Sequence, residues 1–367
     1  MPKSLANVSY FDNEKLEKNK TITIAENKIS GLTNSGHPSS EQQLMVLPGL
    51  IDLQIYGAGG RLFSAEPTVE SLAIIEDDLL KKGTTGFLAC MATNTEQVFN
   101  ACIKTAKEYR QSAKNFLGLH LEGPFLNPKR LGAHIPEFVR TASLDEIKAL
   151  LNFGDGVIKM MTIAPECQDD KVIQYLLDND VLVSLGHSNA TFEEATAAYN
   201  KGIQTTTHLF NAMSPIHHRD PGIPTAVFNH NKAMASVIVD GRHVSYEVVK
   251  FAKKLVKERL FLITDAVTAC STGPYQHVQK GDKFVMPDGT LSGSSLTMLQ
   301  AVKNCVDFCD IEIGEAIKMA TVYPAKLIGI ENLTGEIAIG HTANLLVVNQ
   351  NLELQDVIFN GERIAIK

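Results

Sequence analysis

Between residues 50 and 265 the chain alternates, eight times over, between a short apolar run rich in β-branched residues and a more polar stretch. The runs are LIDLQI (50–55), GFLACM (86–91), FLGLHL (116–121), VIKMMTI (157–163), VLVSLG (181–186), IQTTTH (203–208), MASVIVD (234–240) and FLITD (261–265). Helical periodicity falls between them at 68–82, 95–114, 142–153, 170–180, 191–201 and 245–258. Strands buried on both faces and separated by helices pair in parallel, and eight such units close into a (β/α)8 barrel of TIM type. The fold class is therefore α/β. Thr191 and Ser245 are expected to cap their helices, because each precedes a first turn that carries glutamate.

The two ends of the chain follow a different period. TITIAENKISGL (21–32) alternates around a turn at Asn27, and ANLLVVN (343–349) and DVIFNGERIAI (356–366) read as short antiparallel strands. Termini commonly lie together, so segments 1–48 and 340–367 are expected to form one small discontinuous β-sandwich domain beside a catalytic barrel spanning 49–339. Residues 268–295, with Asp288-Gly289 and Leu-Ser-Gly-Ser-Ser, make a long loop after the eighth strand and a candidate hairpin lid.

Length and composition narrow the function. A chain of 367 residues exceeds one ordinary core but suits a barrel with a satellite, and 44% hydrophobic with 20% charged residues excludes wholesale disorder. The formal charge of -7 argues against nucleic acid as a partner and requires an anionic substrate to be held by a few local cations. The six cysteines, at 90, 102, 167, 270, 305 and 309, form no CxxC pair and are expected to be free thiols in a reducing compartment. No apolar leader opens the chain and no run nears the roughly 18 apolar residues that span a bilayer, so a cytoplasmic protein without a membrane partner is expected.

In barrels of this kind chemistry gathers at the C-terminal ends of the strands. There, strand three ends in His120-Leu121-Glu122, strand five in Gly186-His187, strand six in Thr207-His208 and strand eight in Thr264-Asp265. Glu122, His187 and His208 together offer two imidazole nitrogens and one carboxylate, a ligand set suited to a catalytic zinc with one position open for water. Asp265, at the neighbouring strand end, is placed to act as general base and then acid. Its competing role is to orient a ligand histidine.

The segments PGLIDLQ (48–54), HLEGPF (120–125), LGHSNA (185–190), THLFNAM (207–213), DGRHV (240–244), ITDA (263–266) and SGSSLTM (292–298) resemble the N-acetylglucosamine-6-phosphate deacetylase family of the amidohydrolase superfamily. The resemblance implies hydrolysis of the acetamide of N-acetyl-D-glucosamine 6-phosphate, releasing D-glucosamine 6-phosphate and acetate, with metal-bound water as nucleophile. By position, it implies Glu122, His187 and His208 as metal ligands, Asp265 as the catalytic aspartate, and His134 as a group polarising the acetyl carbonyl. It implies sugar-phosphate contacts at Ala133, His134, Asn211, Ala212, His243, Leu291, Ser292 and Gly293. It also implies a homodimer in which Arg219 reaches the neighbouring active site, where its guanidinium would meet phosphate oxygens. Each has a plainer, less favoured alternative: His134 as a surface loop histidine, Asn211 as an Asx-turn residue and Arg219 as a solvated cation.

One departure bears on the metal count. Many amidohydrolases carry His-x-His at the end of strand one for a second ion, whereas this chain has Gln54 and Tyr56. Glutamine is a poor ligand for zinc and tyrosine an uncommon one, so one divalent ion per subunit is expected. Zinc is favoured, and iron, cobalt and manganese accept the same ligands. Tyr56 either packs beneath the site or takes a part in it. The rival readings are a deacetylase of a different N-acetylated hexosamine phosphate, and a non-catalytic sugar-phosphate sensor on the same fold.

Overall fold

Eight parallel strands run side by side through the middle of the molecule: β1 (Leu50–Ile55), β2 (Thr84–Met91), β3 (Phe116–Glu122), β4 (Ile158–Ile163), β5 (Leu182–Leu185), β6 (Thr205–Thr206), β7 (Met234–Val237) and β8 (Leu260–Leu262). The structure is a computed structural model and describes residues 3–12, 15–36 and 44–366. Each strand pairs in parallel with the next. The seam between β8 and β1 is closed just past β8, where Asp265 N–H donates to Gln54 O at 3.0 Å and Tyr56 N–H donates to Ala266 O at 2.9 Å. The expected barrel is thus present, with every residue of β1 and β2 buried between the strand interior and the outer helices. β6 is shorter than its sequence pattern because the chain turns left-handed at His208, whose N–H is taken by Ser236 Oγ at 2.8 Å.

Six helices lie where the periodicity places them: Val69–Lys81, Glu96–Tyr109, Leu144–Gly154, Asp170–Asp178, Phe192–Asn200 and Tyr246–Val256. Thr191 caps its helix through a capping box with Glu194, which satisfies two otherwise unpaired N–H groups. Ser245 holds the equivalent position, but its hydroxyl makes no capping bond, so that expectation fails in its chemistry. A further helix, Gly222–Asn229, was not anticipated. Pro221, Gly222 and Pro224 punctuate it as a loop, yet proline is tolerated in a first turn, where N–H groups lack partners anyway. After β8, residues 278–294 form a three-stranded antiparallel sheet of Val278–Lys280, Lys283–Val285 and Leu291–Ser294, docked through Ser294 N–H to Asp265 O at 3.0 Å.

Both chain ends meet in one seven-stranded sheet, ordered Glu362–Ile364, Leu354–Phe359, Leu345–Val348, Met45–Pro48, Lys3–Asp12, Lys15–Ala25 and Lys28–Asn34. Successive strand residues face opposite sides, and the two central strands use that period to serve two cores. Val46, Leu345 and Val347 pack with Val8, Ile22, Ile24 and Ile29 in a cluster of the sheet's own, while Leu47, Leu346 and Val348 point into the barrel cluster. Among the described residues, no helix is long and apolar enough to cross a membrane. All six cysteines are free thiols, four of them buried.

Candidate active site

Glu122 ends β3, while His187, His208 and Asp265 follow β5, β6 and β8 by two, two and three residues. The last three all adopt left-handed backbone, with φ of 46°, 33° and 53°. Non-glycine residues in that region cost about 1–3 kcal/mol each and persist only where surrounding structure enforces them. Here the turn aims each side chain back over the barrel mouth, into a cavity of about 300 Å³.

Three ligand atoms converge there. His208 Nε2 lies 3.0 Å from Glu122 Oε1 and 3.1 Å from His187 Nε2, and His187 Nε2 lies 3.3 Å from the same Glu122 oxygen. A tetrahedral zinc with bonds of roughly 2.0–2.1 Å sets its ligand atoms about 3.3–3.4 Å apart, so this triangle fits one ion. The protonation pattern agrees. His187 Nδ1 faces the carbonyl oxygen of Arg130 at 2.9 Å, which can only accept, so the hydrogen is on Nδ1 and Nε2 is bare for a metal. Burial alone would raise the Glu122 carboxyl, but the three imidazoles of His187, His134 and His208 around it outweigh that and hold Glu122 well below the usual carboxylate range. His120, on the same strand, is not part of the group: its nitrogens are taken by Leu53 O at 3.0 Å and Thr162 Oγ1 at 2.7 Å, and burial lowers its pKa to about 4.

Asp265 is buried beside the triangle, and that burial, reinforced by the charge of Glu122, pushes its carboxyl well above the ordinary value. Ala133, His134, Asn211, Ala212, His243, Leu291, Ser292 and Gly293 all line the same cavity. Gly293 has φ 86°, and a Cβ there would sit 2.6 Å from Val267 Cγ1 and 2.9 Å from Asp265 O, so the turn behind Asp265 needs a glycine. His243 Nδ1 donates to Asp240 Oδ2 at 2.7 Å. Burial raises Asp240, but the His243 contact outweighs it and keeps the carboxyl ionised. Arg219 is exposed and does not line the cavity of its own chain.

Residues 45–364 match the amidohydrolase family. This chain belongs to the amidohydrolase family. A relative from Haemophilus influenzae named N-acetylglucosamine-6-phosphate deacetylase is 36% identical over 326 residues, covering 86% of this chain and 85% of its own. A relative from Escherichia coli O157:H7 named N-acetylgalactosamine-6-phosphate deacetylase is 28% identical over 93% of each chain. The crystal structure of N-acetylglucosamine-6-phosphate deacetylase from Pasteurella multocida superposes with a TM-score of 0.92 and 32% identity over the whole of both chains. The family resemblance read from the motifs is therefore correct, and the buried Glu122, His187 and His208 of this amidohydrolase form a group able to bind a metal ion.

At the strand-one position this amidohydrolase places a hydrogen-bond donor between its two carboxylates. Gln54 Nε2 lies 2.7 Å from Asp265 Oδ1, 3.1 Å from Glu122 Oε1 and 3.2 Å from Tyr56 Oη. Tyr56 in turn donates to Glu122 Oε2. Burial, reinforced by the charge of Glu122, raises the Tyr56 hydroxyl well above its usual range, so it stays a donor. Sequence reasoning weighed Gln54 only as a poor ligand and passed over Thr93, Tyr275 and His277. Thr93 follows β2 by two residues, so applying the strand-end rule to strand two finds it. Tyr275 and His277 line the cavity from a loop that carries no periodic signal.

Proposed function

We propose that the protein hydrolyses N-acetyl-D-glucosamine 6-phosphate to D-glucosamine 6-phosphate and acetate, using one divalent ion per subunit held by Glu122, His187 and His208. The observation that carries this reading is the triangle of 3.0, 3.1 and 3.3 Å between those three ligand atoms, with a raised, buried Asp265 beside it. The ion, favoured as zinc, supplies Lewis acidity to the amide carbonyl and lowers the pKa of an attacking water. Asp265 takes the proton from that water and delivers it to the departing amine; its raised proton affinity suits it to both halves of the transfer. His134 offers a hydrogen bond to the acetyl oxygen as charge develops there. Gln54 fills the strand-one position with an amide already bonded to Glu122 and Asp265, which supports a single ion.

In this reading Ala133, Asn211, Ala212, His243 and the Leu291-Ser292-Gly293 turn hold the sugar and its phosphate. Arg219, exposed in its own chain, reaches the site of a second copy in a homodimer. The protein works in the cytoplasm, a placement supported by its free cysteines. The boundary between small domain and barrel is drawn at residues 48/49 and 339/340.

Acetate release from N-acetylglucosamine 6-phosphate, its galacto epimer and unphosphorylated N-acetylglucosamine tests the reading. The 6-phosphate is expected to be preferred by at least about 100-fold in kcat/KM, the worth of two charge-assisted hydrogen bonds. Equal rates with and without phosphate would remove the anchoring roles. Faster turnover of the galacto epimer would move the substrate to the hexosamine phosphate of the Escherichia coli relative's name. Bound metal without acetate release from any of the three would favour a sensor.

A further inference from the structure

We propose that Thr93 and Tyr275 are positioning residues that fix which nitrogen of His134 carries its hydrogen, and thereby tie the carbonyl-polarising group to the seating of the 268–295 loop. The inference rests on the role given to His134 above. The His134 ring is buried and engaged at both nitrogens. Nδ1 lies 3.3 Å from the backbone N of Thr93, with the hydrogen directed at it, and 2.9 Å from Thr93 Oγ1. A backbone N–H can only donate, so Nδ1 must be the bare, accepting nitrogen. The single hydrogen of the neutral ring is then on Nε2, where it donates to the ionised Glu122 Oε2 at 3.1 Å. The opposite tautomer would set two hydrogens against each other at Thr93 and a lone pair against a carboxylate at Glu122. Only the first tautomer has a hydrogen to give an acetyl oxygen entering the cavity.

Thr93 is itself held from across the cavity. The Tyr275 hydroxyl donates to Thr93 O at 2.6 Å and lies 2.8 Å from Thr93 Oγ1, so it holds the Thr93 carbonyl and lies against the hydroxyl that faces His134. Tyr275 packs with Leu62 and Met286, and Ala92, Ala133 and Ile135 close on the same cluster, so the chain neighbours of Thr93 and of His134 share one packing unit with Tyr275. Tyr275 lies 182 positions from Thr93, in the segment that also brings His277 and the Leu291–Gly293 turn to the cavity. Docking of that segment therefore does two things at once: it walls the cavity and sets the hydrogen on His134.

The test is long-range ¹H–¹⁵N correlation on zinc-loaded protein carrying ¹⁵N-histidine, with the His134 signals assigned by their loss in His134→Gln. Wild type should show a protonated Nε2 and an unprotonated Nδ1. Tyr275→Phe keeps the ring in its cluster and removes only the hydroxyl. It should mix the tautomers and lower kcat by about tenfold, the worth of one hydrogen bond, while KM changes less than twofold. Thr93→Val should do the same, and Thr93→Ser should restore both readouts. Protonated Nδ1 in wild type overturns the proposal, as does a Tyr275→Phe protein with unchanged tautomer, or with a shifted tautomer and unchanged kcat. Because the tautomer is read without turnover, an enzyme that released no acetate would remove the functional reading while leaving the assignment of His134 to stand or fall on its own signals.

Discussion

The barrel mouth and the seven-stranded terminal sheet are made of the same kind of strand but resolve their local conflicts in opposite ways. In the sheet, left-handed backbone falls on turn residues such as Glu26 and Asn360 and, where the pairing of the first two strands shifts register, on Asn7 and Asn19, a residue type that tolerates it, while Ile22, Ile24 and Ile29 lie on the buried side where a period of two puts them. In the mouth, left-handed backbone is imposed on His187, His208 and Asp265, and two carboxylates are buried against one glutamine amide. Gln54 Oε1 and His208 Nδ1 are buried there with no hydrogen-bond partner among the described residues. A region in which left-handed backbone is left to turns and register shifts, and burial follows the strand period, is organised for stability. A region that violates several of them at once gives up stability for groups held ready to react.

That contrast breaks most visibly at Asp265. Asp265→Asn removes the proton carrier and a buried carboxylate that burial already disfavours, so kcat should fall by about 10²–10⁴-fold with the thermal midpoint unchanged or higher. Stopped acetate assays beside a thermal melt would check it; a variant retaining near-native turnover, or one losing several degrees, would erase the distinction. Ile22→Ala should do the reverse. Ile22 is fully buried in the terminal sheet, and its truncation should lower unfolding free energy by about 2–5 kcal/mol in a denaturant titration while the folded variant keeps kcat within about twofold. Activity loss in step with stability would show that the sheet shapes the site.

Asp52 sharpens the comparison from beneath the mouth, at the β8–β1 seam. Its carboxylate accepts from Gln54 N at 3.1 Å and Thr264 N at 3.3 Å, and Thr264 Oγ1 donates to its second oxygen. Burial outweighs those bonds and raises the pKa to about 6. A folded-state pKa above the unfolded one means the native state holds the proton more tightly. The stability this group contributes is full below the ordinary value of 3.8 and is lost as pH rises through about 6. Between pH 4.5 and 7 the unfolding free energy of Asp52→Asn should gain on wild type by about 2 kcal/mol. Parallel curves for the two proteins would show that Asp52 titrates normally.

How far the sequence was legible follows the same division. The strands and most helices were readable because their periods agree with their burial, and Glu122, His187, His208 and Asp265 were readable because barrel geometry makes a strand end a functional address. β6 was overread, since Ser236 draws the His208 N–H out of the ladder, a contact between positions 28 apart. The helix at Gly222–Asn229 was hidden by its prolines. Tyr275 and His277 had no address at all: they reach the cavity through the folding of a loop, and loop placement is set by packing against Leu62 and Met286 rather than by any pattern near them in sequence.

In the function proposed for this amidohydrolase, one buried ion held by Glu122, His187 and His208 makes it a deacetylase. Metal content and acetate release measured on one preparation, before and after chelation and again for Glu122→Gln, test it most directly. The expected result is one divalent ion per chain, acetate release lost on chelation and regained with zinc, and a Glu122→Gln protein that folds but retains neither ion nor activity. Two ions per chain, or turnover that survives both chelation and Glu122→Gln, would contradict it.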